Sequence, residues 1–278
     1  MQNTKTLDAG YFKRLWVKRK ECRLDHSKDC WDGRAQNWID DLGPDGLGKP
    51  EMAARVNHTA QYLRSRGLLG QESSVIDVGC GPGLFVIEFA KTALHAVGLD
   101  HSRNFIENAE DRANINEIFN TTFVEADFLT LDIDKSGFAG AFDLVFASIT
   151  PAATGEDSLE KLMKMSRRFC NIVSFVNVTD TLAERISMDV FGEEFWPRFD
   201  GNGFYALLNL LWLDGHYPET SYYTETREET VSPDERWASG CAALCRHFDP
   251  EDAAKVLRYM EKHGEFERSS EFKYGSIL

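Results

Sequence analysis

Val75-Ile76-Asp77-Val78-Gly79-Cys80-Gly81-Pro82-Gly83 is the stretch that decides the fold. Val75, Ile76 and Val78 make an extended chain apolar on both faces, as a buried parallel strand must be. Glycines at 79, 81 and 83 then permit a tight turn and let a ligand approach the backbone, because no Cβ keeps it away. The apolar, glycine-free run over 84–93 predicts a helix whose N-terminus points at the same ligand. Strand, glycine turn and helix together make a nucleotide-type binding device.

The spacing narrows the ligand. A dinucleotide turn needs Gly-x-Gly-x-x-Gly, and the third position of that frame is Leu84. A phosphate loop ends in Gly-Lys-Ser/Thr, and none follows here. A buried carboxylate at Asp77 repels a pyrophosphate but attracts an ammonium group, directly or through water. The ligand expected is a nucleoside with a cationic tail. On these residues the chain resembles the class I S-adenosylmethionine-dependent methyltransferases, whose first motif has this pattern.

From residue 74 the chain alternates strand and helix, which argues for a parallel sheet with right-handed crossovers. The second strand, 95–99, ends at Asp100, 17 residues after Gly83. Two acceptor oxygens there suit a ribose diol. His101 and Ser102 follow, and Ser102 either caps the next helix or touches the ribose. After the third strand, 122–125, come Ala126, Asp127 and Phe128. The resemblance implies that Asp127 accepts the adenine amine and that Phe128 packs on the ring. The fourth strand, 142–147, delivers Ala147, Ser148, Ile149, Thr150 and Pro151 to the crevice where open α/β sheets bind ligands. The Asn/Asp-Pro-Pro-Tyr/Phe run of enzymes that methylate DNA or protein glutamine is missing at this point. A helix over 157–168 and a fifth strand over 170–178 complete this core. The resemblance is specific over residues 74–150 and architectural elsewhere.

Residues 1–70 read as a helical segment ahead of the core. Trp31, Asp32, Arg34 and Trp38 resemble the piece that many small-molecule methyltransferases fold over the cofactor. That likeness implies that Trp31 and Trp38 shield the cofactor and that Arg34 grips its carboxylate. An amphipathic helix with two core tryptophans is the plainer alternative. Pro50 opens a helix that Gly67 closes. Residues 179–220 are rich in aromatics, and 204–213 is nearly all apolar but too short to cross a bilayer, so the segment reads as a cap over the active site. A strand at 221–230, helices at 233–245 and 250–263, and a strand at 266–274 then supply the sixth and seventh strands. The fold expected is α/β: a doubly wound, seven-stranded, mostly parallel sheet in four segments. These are the N-terminal helices (1–70), the cofactor core (71–178), the cap (179–220) and the C-terminal part (221–278).

Composition bounds the function. Of 278 residues 42% are hydrophobic, with 19 Phe and 6 Trp, which is ample for a packed core and excludes disorder. The net charge of −14 disfavours a polyanionic target, so no nucleic-acid partner is expected. Lys13-Arg14 and Lys18-Arg19-Lys20 are a local exception that reads as a solvated helix face. No stretch suits a signal peptide or a membrane span, and Cys22, Cys30, Cys80, Cys170, Cys241 and Cys245 read as reduced thiols of a cytoplasmic protein. Cys22, His26 and Cys30 recur every four residues, but a structural zinc site wants four ligands, so no metal is expected.

The expected reaction is methyl transfer from S-adenosylmethionine to a small hydrophobic or aromatic acceptor, leaving S-adenosylhomocysteine, by a monomer or homodimer. In-line displacement at a sulfonium depends on positioning and desolvation rather than acid–base chemistry. A base is needed only for a hydroxyl, a protonated amine or an acidic carbon, with His216, Tyr217, Glu193 and His101 as candidates. Two alternatives remain open. One is a protein-methylating enzyme, and the other is a regulatory or scaffold protein that binds the cofactor without turnover.

Overall fold

The computed structural model describes residues 8–18, 31–32, 35, 39–40, 42, 50–154, 157–195, 201–246 and 249–278. Its seven-stranded sheet has the order β3-β2-β1-β4-β5-β7-β6. The strands are β1 (Ser74–Val78), β2 (His95–Asp100), β3 (Thr121–Glu125), β4 (Phe142–Ser148), β5 (Ser166–Asp180), β6 (Thr220–Val231) and β7 (Phe266–Ile277). The helices are α1 (Ala9–Lys18), α2 (Pro50–Ser65), α3 (Leu84–Ala90), α4 (Arg103–Ile115), α5 (Ser158–Met165), α6 (Thr181–Ile186), α7 (Asn202–Leu213), α8 (Glu235–Cys245) and α9 (Pro250–His263). The pairs β1–β2, β1–β4, β2–β3 and β4–β5 are all parallel. Strand order therefore reverses between β1 and β4, and that switch point is where such sheets bind ligands.

The chain divides into two compact units, one of Met1–Leu24 with Ser174–Gly275 and the other of Asp25–Val173 with Ser276–Leu278. Strands β5 and β7 each run through a boundary between these units.

The 25–173 unit is built on β1, where Val75, Ile76, Asp77 and Val78 are all buried, as a strand covered on both faces must be. Phe85 and Phe89 of α3 pack on Phe146 of β4, with ring centroids 4.9 and 5.1 Å apart. Helix α2 ends as expected, with Gly67 at φ 69° and the Leu68 N–H closing on the Leu63 carbonyl at 3.0 Å. Arg64 reaches from α2 to Glu88 of α3 at 2.8 Å. Helix α3 stops at Ala90, three residues short of the expected end, because Thr92 and Ala93 both fold back onto the Phe89 carbonyl.

The helix expected over 157–168 also ends early, at Met165. Ser166 instead opens β5, where it pairs with Phe142 across a register irregularity. Its hydroxyl donates to the Phe169 carbonyl and accepts the Arg168 N–H, which fixes the extended entry. Long-range pairing overrides a helical pattern in Arg167 and Arg168.

In the other unit, α6, α8 and α9 bury Leu182, Ile186, Ala238, Cys241, Val256 and Met260 with Phe266 of β7. Each helix starts on an aspartate cap. Asp180 accepts Leu182 and Ala183 N–H, Asp234 accepts Trp237 N–H, and Asp249 accepts Glu251 N–H with Pro250 in the first turn. Helix α8 begins at Glu235, two residues after the expected 233, because Asp234 is spent as its cap. Helix α7 packs on α1, where Phe12 meets Tyr205 edge-on at 5.6 Å. Among the described residues, no helix is long and apolar enough to cross a membrane.

Candidate functional site

The glycine turn is tied to the end of β2. Gly79 and Cys80 both donate to the Leu99 carbonyl, at 2.7 and 3.1 Å, and the Gly81 N–H donates to Asp100 Oδ2 at 2.9 Å. The other oxygen, Oδ1, accepts the Ser102 N–H at 2.9 Å. Two backbone donors thus fix the plane of the carboxylate and leave each oxygen a further lone pair for a ligand hydroxyl. Burial raises the Asp100 carboxyl above its ordinary range, although the N–H groups of Ser102 and Gly81 pull the other way. Ala126 donates its N–H to the Asp100 carbonyl at 2.9 Å, which brings 126–128 to the same turn.

Asp77 is buried, and among the described residues its Oδ1 has no hydrogen-bond partner. Desolvation, then the charge of Asp100, raises its carboxyl well above the ordinary range. A buried polar atom without a partner is costly, and a cationic ligand group is the partner that would repay it. Gly81, at φ 51°, has nothing within 4 Å of where a Cβ would stand, so the crest of the turn opens on free space. Gly79, at φ 74°, is pressed on Thr150. His101 lies beside Asp100, and its Nε2 is a second buried atom without a partner among the described residues. These atoms fit a nucleoside with a cationic tail: carboxylate for the cation at Asp77, carboxylate for the diol at Asp100, and open backbone between.

The other expected residues are placed as follows. Ser102 is the N-cap of α4, accepting the Phe105 N–H at 3.4 Å, and is fully buried. Its hydroxyl donates a hydrogen bond to Asp32 Oδ1. Asp127 is exposed and accepts the Leu129 N–H at 2.9 Å. The Phe128 ring is buried, with Lys161 Nζ 5.8 Å from its centroid. Ala147 is buried, and Ser148 is half-buried at the end of β4. The Cys80 thiol is buried, and desolvation followed by the charges of Asp100 and Asp77 pushes its pKa well up, which makes it a packing residue rather than a nucleophile. Trp31 is half-buried, whereas Arg34, Trp38, Cys22, His26 and Cys30 lie outside the described residues.

Of the four base candidates, only His101 shares a unit with the glycine turn. Glu193 is bound to Arg246, His216 stands 3.4 Å from Asp214, and Tyr217 packs on Trp212 with centroids 4.9 Å apart. Among the described residues, no cluster of three His, Cys, Asp or Glu is placed to hold a metal. The described cysteines Cys80, Cys170, Cys241 and Cys245 are free thiols.

Two features escaped the reading of the sequence. Asp32 stood in a quoted motif but received no role, and only the fold puts it on Ser102. Ile149 takes φ 54°, a left-handed conformation rare for a β-branched residue, and its type carries no sign of it.

Residues 69–182 match a family model described as a methyltransferase domain. The 23S rRNA (uracil(1939)-C(5))-methyltransferase RlmD of Aeromonas hydrophila subsp. hydrophila is 34% identical over 114 residues, which are 40% of this chain and 25% of that protein. The RlmD of Shewanella sp. (strain ANA-3) is 29% identical over 142 residues, 49% of this chain and 31% of that protein. The chain thus spans about a quarter to a third of the length of these relatives. Magnesium protoporphyrin IX methyltransferase (ChlM) of Synechocystis PCC 6803, solved with bound S-adenosylhomocysteine, superposes with a TM-score of 0.52 at 16% identity, covering 90% of this chain and 96% of that one. At that identity the likeness is one of fold. Residues 69–182 are thus similar to a methyltransferase domain, and the seven-stranded sheet has the fold of the class I, Rossmann-like S-adenosylmethionine-dependent methyltransferases.

Proposed function

We propose that this chain binds S-adenosylmethionine at the glycine turn between β1 and α3, beside the end of β2, and transfers its methyl group to a small acceptor of hydrophobic or aromatic character. The observation that carries the cofactor is the pairing of two buried carboxylates. Asp100 is held by the Gly81 and Ser102 N–H groups, and Asp77 keeps an oxygen without a partner among the described residues. When bound, the cofactor supplies an electrophilic methyl on a sulfonium. Asp77 holds the ammonium of its tail, Asp100 accepts its ribose hydroxyls, and the backbone at Gly81 lets the nucleoside approach. Asp127 accepts the adenine amine on the oxygen capacity that the Leu129 N–H leaves free. Displacement then asks of the protein only alignment and exclusion of water. Should the acceptor need a base, His101 is the candidate nearest these carboxylates.

Support for an apolar acceptor comes from the composition of 179–220 and from Trp212 and Tyr217, which are mostly exposed. The likeness to RlmD favours a second reading, an RNA acceptor. A net charge of −14 weighs against it, since phosphate neutralisation supplies most of the affinity for nucleic acid. A monomer or homodimer in the cytoplasm accords with either reading. Incubation with methyl-labelled S-adenosylmethionine and separate pools of small aromatic compounds, RNA and protein decides between them. Label in the small-molecule fraction alone supports the proposal; label in RNA or protein overturns the acceptor class but leaves the cofactor site standing.

A further inference from the structure

We infer that Asp32 is a positioning residue for the nucleoside site, acting through Ser102 on the Asp100 carboxylate; the inference rests on the cofactor reading above. The Ser102 hydroxyl donates to Asp32 Oδ1, and Asn104 Nδ2 donates to the Asp32 carbonyl at 3.2 Å. Asp32 therefore grips the β2–α4 turn at two points. Ser102 is fully buried, its Oγ accepts the Phe105 N–H at 3.4 Å, and its own N–H donates to Asp100 Oδ1 at 2.9 Å. The second oxygen of Asp100 receives the Gly81 N–H at 2.9 Å. One continuous chain of hydrogen bonds thus runs from Asp32 through Ser102 and Asp100 to the crest of the glycine turn.

Each link constrains the next. A serine hydroxyl carries one proton, and giving it to Asp32 leaves Oγ as an acceptor toward the first turn of α4. That fixes the rotamer of Ser102 and the direction of its N–H, and so the plane in which Asp100 meets a diol. Bonds to an ionised acceptor are about twice as strong as neutral ones, so Asp32 is a firm anchor for this turn. Preorganised carboxylates bind hydroxyls without reorganising first, which is what such support contributes to a binding site. Without Asp32, the buried hydroxyl must seek another acceptor, and the turn is held by backbone bonds alone.

A latch that merely held residues 31–32 in place would lower stability and leave ligand discrimination untouched. A positioning role predicts an effect confined to the ribose. The test is calorimetric titration of wild type, Asp32→Ala and Asp32→Asn with S-adenosylhomocysteine and with its 2′,3′-dideoxy analogue. Asp32→Ala should bind S-adenosylhomocysteine about tenfold more weakly, as loss of one well-placed hydrogen bond implies. It should bind the dideoxy analogue as wild type does, and Asp32→Asn, whose amide oxygen accepts the same bond, should restore most of the affinity. Should the alanine variant not fold, Asp32→Glu, which keeps the charge but shifts it, should show the same selective loss in smaller measure. Equal losses for both ligands, or an Asp32→Ala variant that binds S-adenosylhomocysteine as tightly as a binding wild type does, overturns this inference alone. No binding by wild type overturns the cofactor reading, and this inference with it.

Discussion

Gly79 and Thr150 stand so close that a Cβ on Gly79 would lie 2.0 Å from Thr150 Oγ1 and 2.7 Å from its Cβ. This contact locks the end of β1 to the end of β4 at the switch point of the sheet. Gly79→Ala adds both a clash and a left-handed alanine at φ 74°, a conformation costing about 1–2 kcal/mol by itself. The variant should unfold several degrees below wild type. Trimming the neighbour, in Gly79→Ala with Thr150→Gly, should recover part of the loss. A double-mutant cycle by thermal denaturation measures that coupling, and strict additivity would contradict the contact.

Asp77 makes the stability of the ligand-free protein depend on pH. Burial, then Asp100, raises its folded carboxyl above the unfolded value. A group raised in this way contributes stability that is fully present below the ordinary carboxylate range and lost as pH rises through the raised value. Melting temperature should therefore fall over that upward window, and Asp77→Asn should flatten the fall. The same ionisation creates the anion that meets the cofactor's ammonium, so affinity for S-adenosylhomocysteine should rise where the free protein weakens. Paired melting and titration series across pH check both signs.

Ile149 stores backbone strain where β4 meets the glycine turn. A β-branched residue at φ 54° costs about 1–3 kcal/mol, and the Ile149 N–H is held on the Val173 carbonyl at 2.9 Å. Because the side chain is only half-buried, Ile149→Asn should relieve more than it loses. A gain of about 1 kcal/mol would raise the melting temperature by about 2–4 °C. Scanning calorimetry measures it, and a lower melting temperature would show that side-chain burial outweighs the strain.

Arg268 and Asp180 form a buried ion pair, with Nη2 and Nε at 2.5 and 2.9 Å from one carboxylate oxygen. Arg268 also meets Glu229 and lies over the Trp237 ring, 4.9 Å from its centroid. Asp180 is fully buried and caps α6, so Arg268→Ala strands a charge that cannot move to water. The expected loss is about 3–5 kcal/mol. Urea denaturation reads it directly, and a loss below about 1 kcal/mol, the range of exposed pairs, would contradict the burial of this one.

Local chemistry made much of the site legible. The strand-turn-helix of β1 and α3 follows from Val75–Val78 and three glycines, and Asp100 and Ser102 fall where the strand period ends. What stayed hidden depends on distant partners. The end of α5 is set by the pairing of Ser166 with Phe142, which no window around Arg167 contains. The burial of Phe128 follows from its packing rather than its type, and the bond from Asp32 to Ser102 joins positions 70 residues apart. Strain at Ile149 is likewise a property of the turn, since isoleucine is among the residues least suited to it.

The central claim is that the paired carboxylates Asp77 and Asp100 hold S-adenosylmethionine. The most direct measurement is calorimetric titration of S-adenosylhomocysteine into wild type and Asp100→Ala, with melting followed in parallel. Saturable binding by wild type, about 2.7 kcal/mol of stabilisation at a ligand concentration of 100 times Kd, and a much weakened Asp100→Ala are the predicted results. Absence of both heat and stabilisation in wild type, or an Asp100→Ala variant that binds as tightly, would contradict it.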